Sequence, residues 1–367
     1  MNIIKYIILG LLIWGASSFS LVAFGSTIGS LVSYMVFVAL LGYYLLAQKR
    51  KLLLPLLLLG FSYFIISGLI YVDSYKNFIN EFIKYFIIII CGAEVARDTT
   101  SKELTYFLAI GASTVLIHAI FFGGGYGRYS GFYLNPNGAA FVCLIGYCLT
   151  FQIKEVKTKY LLLFLFTFSG VLTFSRFFFL MWFLTTLFSI VDDKKNFQIL
   201  GIGIGAIALL VSVAAILQVN TTRFAFIEGI INNDVKTKVA TEGGRLESWS
   251  KYFDAILNNP YFGNGYKTFS GEDSTKQGVH NTYLMVLGES GIFPFFLLIG
   301  IYLFLIKKSL KTFKKHVFKF QLAVSLAAIL LTMHNYFNNQ LILFATIWLL
   351  VKLNESPQKN EFNTQQV

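Results

Sequence analysis

The sequence predicts an all-α protein: a polytopic membrane helical bundle of about a dozen transmembrane helices with a partly helical large outer loop. Of its 367 residues, 56% are hydrophobic and only 13% are charged, against about 25% charged residues in a soluble domain. Mean hydropathy is +0.66. Long apolar runs recur along the chain, and the basic residues between them alternate in a regular way. Lipid is therefore the expected solvent.

About 20 apolar residues are needed to cross the hydrocarbon core as a helix, and twelve runs come near this length. Only Ser175 and Arg176 interrupt the apolar stretch 160–191, so its division into two spans depends on these residues. The expected spans are 4–22, 27–47, 52–72, 79–96, 104–122, 138–153, 160–175, 177–191, 198–217, 285–306, 320–336 and 340–352.

Positive charge predicts the orientation, because cytoplasmic loops collect Lys and Arg. With the N-terminus inside, the inner segments hold most of the 30 Lys and Arg residues. We therefore expect a multi-pass protein of the bacterial cytoplasmic (inner) membrane with both termini in the cytoplasm. The net charge of +12 follows mainly from this topology, so no nucleic-acid partner is expected.

The chain divides into four expected regions: transmembrane helices 1–9 in residues 1–217, a large periplasmic or extracellular loop in 218–284, helices 10–12 in 285–352, and a cytoplasmic tail in 353–367. Acidic and basic residues balance in the loop, so a local cluster must perform any anion binding. Apolar residues between Leu246 and Leu257 recur at helical spacing, which predicts an amphipathic helix on the membrane surface.

Arginines on the outer face run against the charge rule. Arg128 lies in a glycine-rich segment, Arg176 lies between two apolar spans, and Arg245 opens the loop helix. A guanidinium offers phosphate a rigid fork of donors and a permanent charge, and a helix start favours an anion. The alternatives are a solvated charge for Arg128, a snorkelling charge for Arg176, and an ion pair of Arg245 with Glu242 or Glu247.

His280 ends the outer loop, and imidazole suits proton transfer near neutral pH. It is either a general base or a bystander, and the following Asn281 and Tyr283 are candidates for holding the histidine or a sugar. His334 also lies on the outer side, where an interfacial polar residue is its simplest interpretation.

Two further candidates flank a proline between the fifth and sixth spans. Asn135 and Asn137 are expected either to contact sugar or to cap the following helix. Both side chains precede an apolar run that begins on the outer face. They therefore belong to the same expected region as the outer arginines.

Four segments of the chain form an ordered set: RYSGFYLNPNGAA (128–140), FSRFFFL (174–180), GGRLESWSKYFDAILNNPYFGNGYKTF (243–269) and HNTYLMVLGESGIFPFF (280–296). Together they resemble the bacterial O-antigen ligase and O-antigen polymerase superfamily. The ordered set, with a large outer loop between an Arg-Trp helix and a His-Asn turn, carries the resemblance. It covers about 128–300 by motif and nearly the whole chain by topology.

The resemblance implies a glycosyltransferase that needs neither metal nor other cofactor. Its donor is a glycan carried on a polyprenyl (undecaprenyl) diphosphate, which is itself a membrane lipid. Its acceptor is the lipid A–core in ligases, or another lipid-linked glycan in polymerases. The family's essential arginines and histidine map onto Arg128, Arg245 and His280, and its Ser-Arg at a membrane boundary matches Arg176. The outer face shows no Asp-x-Asp and no two-histidine ligand spacing.

A transporter or flippase for polysaccharide or lipid-linked oligosaccharide is the alternative of another class. It would need charged or broken helices at the bilayer midplane, whereas the unusual residues here cluster at the outer boundary. A sensor or structural protein would leave the Arg and His set without a role. Within the enzyme class, ligase, polymerase and protein glycosylation stay open, and the short loop leans toward polymerase.

The predicted topology is testable with reporter fusions. An alkaline phosphatase fused after Lys236 should be active, because residues 218–284 are expected outside the cytoplasm. The same reporter fused after Lys311, in a basic segment expected inside, should be inactive. Cytoplasmic behaviour of the Lys236 fusion would overturn the orientation and, with it, the position of the candidate site.

Overall fold

A computed structural model gives the structure of residues 1–48, 50–122, 128–217, 245–271 and 278–355, without the side chains of 210–217 and 245–247. These residues form helices joined by short turns, and their extended pairing is one isolated bridge between Val72 and Tyr266. The all-α class is therefore confirmed.

Helices account for nearly every apolar run of the described part. Three short 3-10 turns separate some of them, at Gly131–Tyr133, Lys194–Gln198 and Tyr336–Asn338. The α-helices in chain order are α1 Asn2–Ile13, α2 Ala16–Phe24, α3 Ser26–Leu46, α4 Leu54–Ile70, α5 Tyr75–Asp98, α6 Ser101–Phe121, α7 Pro136–Thr150, α8 Val156–Leu172, α9 Arg176–Asp192, α10 Ile199–Leu217, α11 Arg245–Asn258, α12 Thr282–Ser290, α13 Ile292–Leu310, α14 Val317–Ile329 and α15 Gln340–Asn354.

Each predicted span coincides with helix, but about twelve membrane crossings are not confirmed. Among the described residues, α3, α6 and α13 are long and apolar enough to cross a membrane, and the pair α1 and α2, bent by 65°, makes a fourth if it counts as one span. The apolar helices α4, α7, α14 and α15 are shorter. The 15 residues of α7 rise about 22 Å, less than the hydrocarbon thickness of about 30 Å.

Two breaks at glycine explain part of this difference from the sequence prediction. The first predicted span is split at Gly15, in a left-handed conformation, and the tenth is split at Gly291. Neither break was predicted, because a single glycine does not end an apolar run. Hydropathy therefore recovers the apolar segments but not the length of each helix.

The short helix α7 lies inside the protein. All of its side chains from Ala139 to Thr150 are buried, and it packs against α6, α8, α9 and α14. Helix α15 is buried in the same way from Ile342 to Val351 and packs mainly against α5. Protein, rather than lipid, therefore surrounds most of the surface of these two helices.

Basic side chains from the segments predicted to be cytoplasmic meet at one end of the bundle. Each of them binds a carboxylate or a carbonyl from another segment of the same group. The contacts are Lys5 Nζ to Glu103 Oε1 (2.7 Å), Arg50 Nη2 to Asp98 Oδ1 (3.1 Å), Lys352 Nζ to the Arg97 carbonyl (3.0 Å), Lys319 Nζ to the Lys352 carbonyl (2.8 Å) and Lys314 Nζ to the Val191 carbonyl (3.0 Å).

Antiparallel packing brings the candidate residues to the opposite end. The Lys314 contact joins the start of α14 to the end of α9, and Gln321 Nε2 donates to the Thr185 carbonyl at 2.8 Å. These helices therefore run antiparallel, and the end of α14 lies near the start of α9. His334, which follows α14, and Arg176, which begins α9, share this end of the bundle.

Gly291 makes the turn between α12 and α13 possible. Its φ is +79°, and a Cβ at this position would lie 2.0 Å from the Tyr261 carbonyl oxygen. The next residue, Ile292, donates its backbone N–H to the Pro260 carbonyl at 3.0 Å. The turn that follows α11, at Pro260 and Tyr261, is thereby hydrogen-bonded to the start of α13.

We expect Gly291→Ala to lower the unfolding temperature of the purified protein in detergent by several degrees. A left-handed residue with a Cβ costs about 1–2 kcal/mol, and the Tyr261 carbonyl leaves no room for the added methyl group. Gly300→Ala in α13 is the matched control, because nothing lies within 4 Å of its added Cβ and alanine favours the helix. Equal unfolding temperatures for the two variants would contradict this account.

Candidate functional site

Arg128 is held at the break between α8 and α9. Its Nε donates to the Thr173 carbonyl at 3.1 Å, and its Nη2 donates to Asn137 Oδ1 at 3.0 Å. The next residue, Tyr129, donates its backbone N–H to the Leu172 carbonyl at 3.1 Å. Burial raises the pKa of the Tyr129 hydroxyl above its ordinary value. The loop thus fixes the direction of the Arg128 side chain.

The same break leads into Arg176. Phe174 has a φ of +47°, and the backbone N–H of the buried Ser175 donates to Thr173 Oγ1 at 3.3 Å. Arg176 is exposed and is the first residue of α9, where backbone N–H groups and the helix dipole favour an anion. Two arginines that are distant in sequence therefore converge on one helix break.

Asn135 and Asn137 have different roles in the structure. Asn135 Oδ1 accepts the backbone N–H of Asn137 at 2.9 Å, so Asn135 caps α7. Asn137 Oδ1 instead accepts both Arg128 Nη2 and Ser175 Oγ, the latter at 3.2 Å. The capping alternative thus describes Asn135, whereas Asn137 connects the Arg128 loop to the break.

His118 holds the loop that follows Arg128. Its Nδ1 accepts the backbone N–H groups of Ser130 at 3.2 Å and of Gly131 at 3.1 Å. Because Nδ1 is an acceptor in both bonds, the ring is neutral and carries its proton on Nε2. These two contacts satisfy a polar side chain that lies within the apolar helix α6.

His280 forms a ring pair with His334. The two Nδ1 atoms lie 3.1 Å apart, and the ring centroids are 4.5 Å apart at an interplanar angle of 72°. The His280 backbone is left-handed, with a φ of +46°. Sequence reasoning selected both histidines separately and did not predict their contact. The available signal was the repeated His-Asn dipeptide, at 280–281 and at 334–335.

Asn281 and Tyr283 support the backbone beside His280. The buried Asn281 side chain caps α12, since its Oδ1 accepts the backbone N–H groups of Tyr283 at 3.0 Å and Leu284 at 3.2 Å. Tyr283 donates its hydroxyl to the Ala327 carbonyl at 3.0 Å. In this structure both side chains position the turn that carries His280.

Arg245 is the first residue of α11, as the sequence predicted, and the helix ends at Asn258. Its side chain and residues 241–244 lie outside the described part of the chain, as does the glycine-rich segment 123–127. Tyr252 faces inward, with its ring centroid 4.7 Å from that of Phe269. Phe253 and Leu257 are exposed beside that inner face, as expected for an amphipathic helix at a membrane surface.

Two carboxylates that sequence reasoning missed fasten the segment after α11. Glu81 accepts from the Tyr266 hydroxyl at 2.6 Å and pairs with Lys267 Nζ at 3.2 Å. The buried Glu289 accepts the backbone N–H of Phe269 at 3.0 Å and the hydroxyl of Tyr63. An acidic residue inside an apolar run is costly unless donors surround it, and that cost was the signal available in the sequence.

Comparison with known protein families gives a match in the central part of the chain. Residues 161–299 match the family described as O-antigen ligase. The match contains Arg176, Arg245 and His280, whereas Arg128 and His334 lie outside it. No match was found among curated proteins or among solved structures.

The family match confirms the resemblance drawn from the motifs to the O-antigen ligase and polymerase superfamily, within residues 161–299. Together with the apolar helices, it identifies an integral membrane protein of a bacterium. Its general class is a membrane glycosyltransferase of the O-antigen ligase and polymerase type.

Proposed function

We propose that this protein moves a glycan from a polyprenyl diphosphate onto an acceptor hydroxyl at the outer face of the cytoplasmic membrane. The observation that carries the proposal is the convergence of Arg128 and Arg176 on one helix break. This break lies at the end of the bundle that also holds His334 and, through the ring contact, His280. Cations for a diphosphate and a base for a hydroxyl therefore lie at one end.

The reaction we propose is an inverting transfer without metal or other cofactor. The acceptor oxygen attacks the anomeric carbon from the side opposite the diphosphate and forms the new glycosidic bond. The bond from that carbon to the diphosphate oxygen breaks, and its electron pair leaves with the polyprenyl diphosphate. The acceptor's proton passes to His280. The acceptor is another lipid-linked glycan in a polymerase and the lipid A–core in a ligase.

The arginines stabilise the leaving group in this scheme. Negative charge grows on the diphosphate as the bond breaks, and fixed cations in a partly desolvated site are effective at this step. Arg128 is already oriented by Thr173 and Asn137, so little reorganisation is needed when the donor binds. Arg176 and Arg245 each begin a helix, so the helix dipole adds to the charge of each side chain.

The membrane arrangement belongs to the same proposal. The end of the bundle with Lys5, Arg50 and Lys352 faces the cytoplasm, and both termini lie on that side. The opposite end, with the histidine pair and the arginines, meets the outer leaflet, where the lipid-linked donor is delivered. The protein is then a multi-pass protein of the inner membrane, with residues 218–284 outside.

Deleting the gene and analysing the surface glycan tests the function directly. Loss of a polymerase leaves a single repeat unit on the lipid A–core, whereas loss of a ligase leaves none. In both cases the lipid-linked donor accumulates on the outer side. Accumulation on the cytoplasmic side would instead indicate a flippase and would contradict the proposal.

We expect Arg128→Ala and Arg245→Ala to abolish glycan transfer while the protein stays in the membrane in normal amount. Arg245→Lys should restore little activity, because an ammonium group cannot reproduce the bidentate fork. Transfer is measured with purified protein and donor lipid. Arg50→Ala, at the opposite end of the bundle, is the control and should stay active. Full activity of Arg245→Lys would reduce the role of Arg245 to a simple charge.

His280→Ala should lower the rate of transfer by about 10²–10⁴-fold, the usual contribution of a general base. Donor binding should change little, because the arginines hold the diphosphate. The measurement is the transfer rate at saturating donor, with donor affinity determined separately. An active His280→Ala enzyme would remove the proposed base.

A further inference from the structure

We propose that His334 is a positioning residue for His280: it accepts the Nδ1 proton of His280, so that the Nε2 of His280 is the unprotonated nitrogen and can receive the acceptor's proton. This inference rests on the proposed function, in which His280 is the base. It assigns a role to a residue that lies outside the range matched to the O-antigen ligase family.

The distance between the rings defines what the pair can do. At 3.1 Å between the two Nδ1 atoms, one nitrogen donates a proton and the other accepts it. If His280 donates, its Nε2 carries a lone pair and can act as a base. If His334 donates, the His280 Nε2 carries a proton and cannot.

Proton uptake strengthens the arrangement in which His280 donates its Nδ1 proton to His334. When His280 Nε2 takes the acceptor's proton, the ring becomes an imidazolium whose Nδ1–H still points at His334. A hydrogen bond from a charged donor is roughly twice as strong as a neutral one. His334 thus stabilises the cation that forms during transfer, as the aspartate does in the Ser-His-Asp triad.

The proposed function places the base at His280, so His334 is the partner that accepts. A Cβ on Gly278 would lie 3.0 Å from His334 Cε1 and 3.1 Å from His334 Nε2. The far edge of the His334 ring therefore lies close to the backbone at Gly278, which helps to hold this ring in place.

The backbone fixes the two histidines relative to each other. Thr282 donates its N–H to the Leu330 carbonyl at 2.7 Å and its hydroxyl to the Met333 carbonyl at 2.8 Å. On the other side of His280, Val279 donates its N–H to the Phe269 carbonyl at 3.1 Å. These bonds hold His280 in its left-handed conformation, a strain that persists only where the surroundings enforce it.

Two substitutions of nearly equal shape separate positioning from packing. His334→Leu removes the acceptor, whereas His334→Asn keeps an oxygen near the position of Nδ1. Each variant is purified and assayed for transfer with donor lipid extracted from a deletion strain. Each is also made in a His280→Ala background, and unfolding temperatures in detergent check the fold.

We expect His334→Leu to lower kcat by about 10–100-fold, with the KM for donor nearly unchanged. This is the usual loss when a group that orients a metal-binding histidine is removed. His334→Asn should recover most of this loss. In the His280→Ala background His334→Leu should have no further effect, because His334 acts only through His280.

Three results would overturn the inference: His334→Leu with normal kcat, equal losses in the Leu and Asn variants, or additive losses in the double variant. The proposed function fails separately, if the unaltered protein transfers no glycan from the same donor. The base role fails separately as well, if His280→Ala is active while the unaltered protein transfers glycan.

Discussion

Backbone that leaves a helix inside an apolar bundle must find hydrogen-bond partners within the protein, and this constraint shapes the candidate site. At the first break, between α8 and α9, the Thr173 carbonyl accepts from Arg128 Nε, and the Ser175 backbone N–H donates to Thr173 Oγ1. At the second, which precedes α12, Thr282 donates its N–H and its hydroxyl to carbonyls of the segment between α14 and His334. The bonds that make each break tolerable are the same bonds that orient Arg128 and His280.

Asn137 illustrates how structure and proposed chemistry share one atom. Its Oδ1 accepts from both Arg128 Nη2 and Ser175 Oγ, so the arginine is tied to the residue that precedes α9. A charged donor makes a stronger hydrogen bond than a neutral one, so the Arg128 contact is the larger part of this link. The direction of the Arg128 guanidinium then depends on the position of α9. Because Arg176 begins α9, the positions of the two arginines are linked.

The sequence predicted the helical segments better than the geometry. Hydropathy located the apolar helices of the described part of the chain, and Arg128 and Arg176 stood out because the charge rule disfavours arginine on the outer face. Helix length was less predictable, because a single glycine such as Gly291 does not end an apolar run. The contact of His280 with His334 was not predictable from spacing, since it depends on the position of α14 beside α12 in the folded bundle.

A histidine has one advantage over a carboxylate as the partner of His280. An aspartate would hold the same tautomer but would add a negative charge near the proposed diphosphate, where it would oppose donor binding and pair with the arginines. A neutral imidazole accepts the Nδ1 proton without adding charge. The site can then keep its cations for the leaving group while the base stays oriented. In this scheme the pairing of two histidines follows from the charge of the substrate.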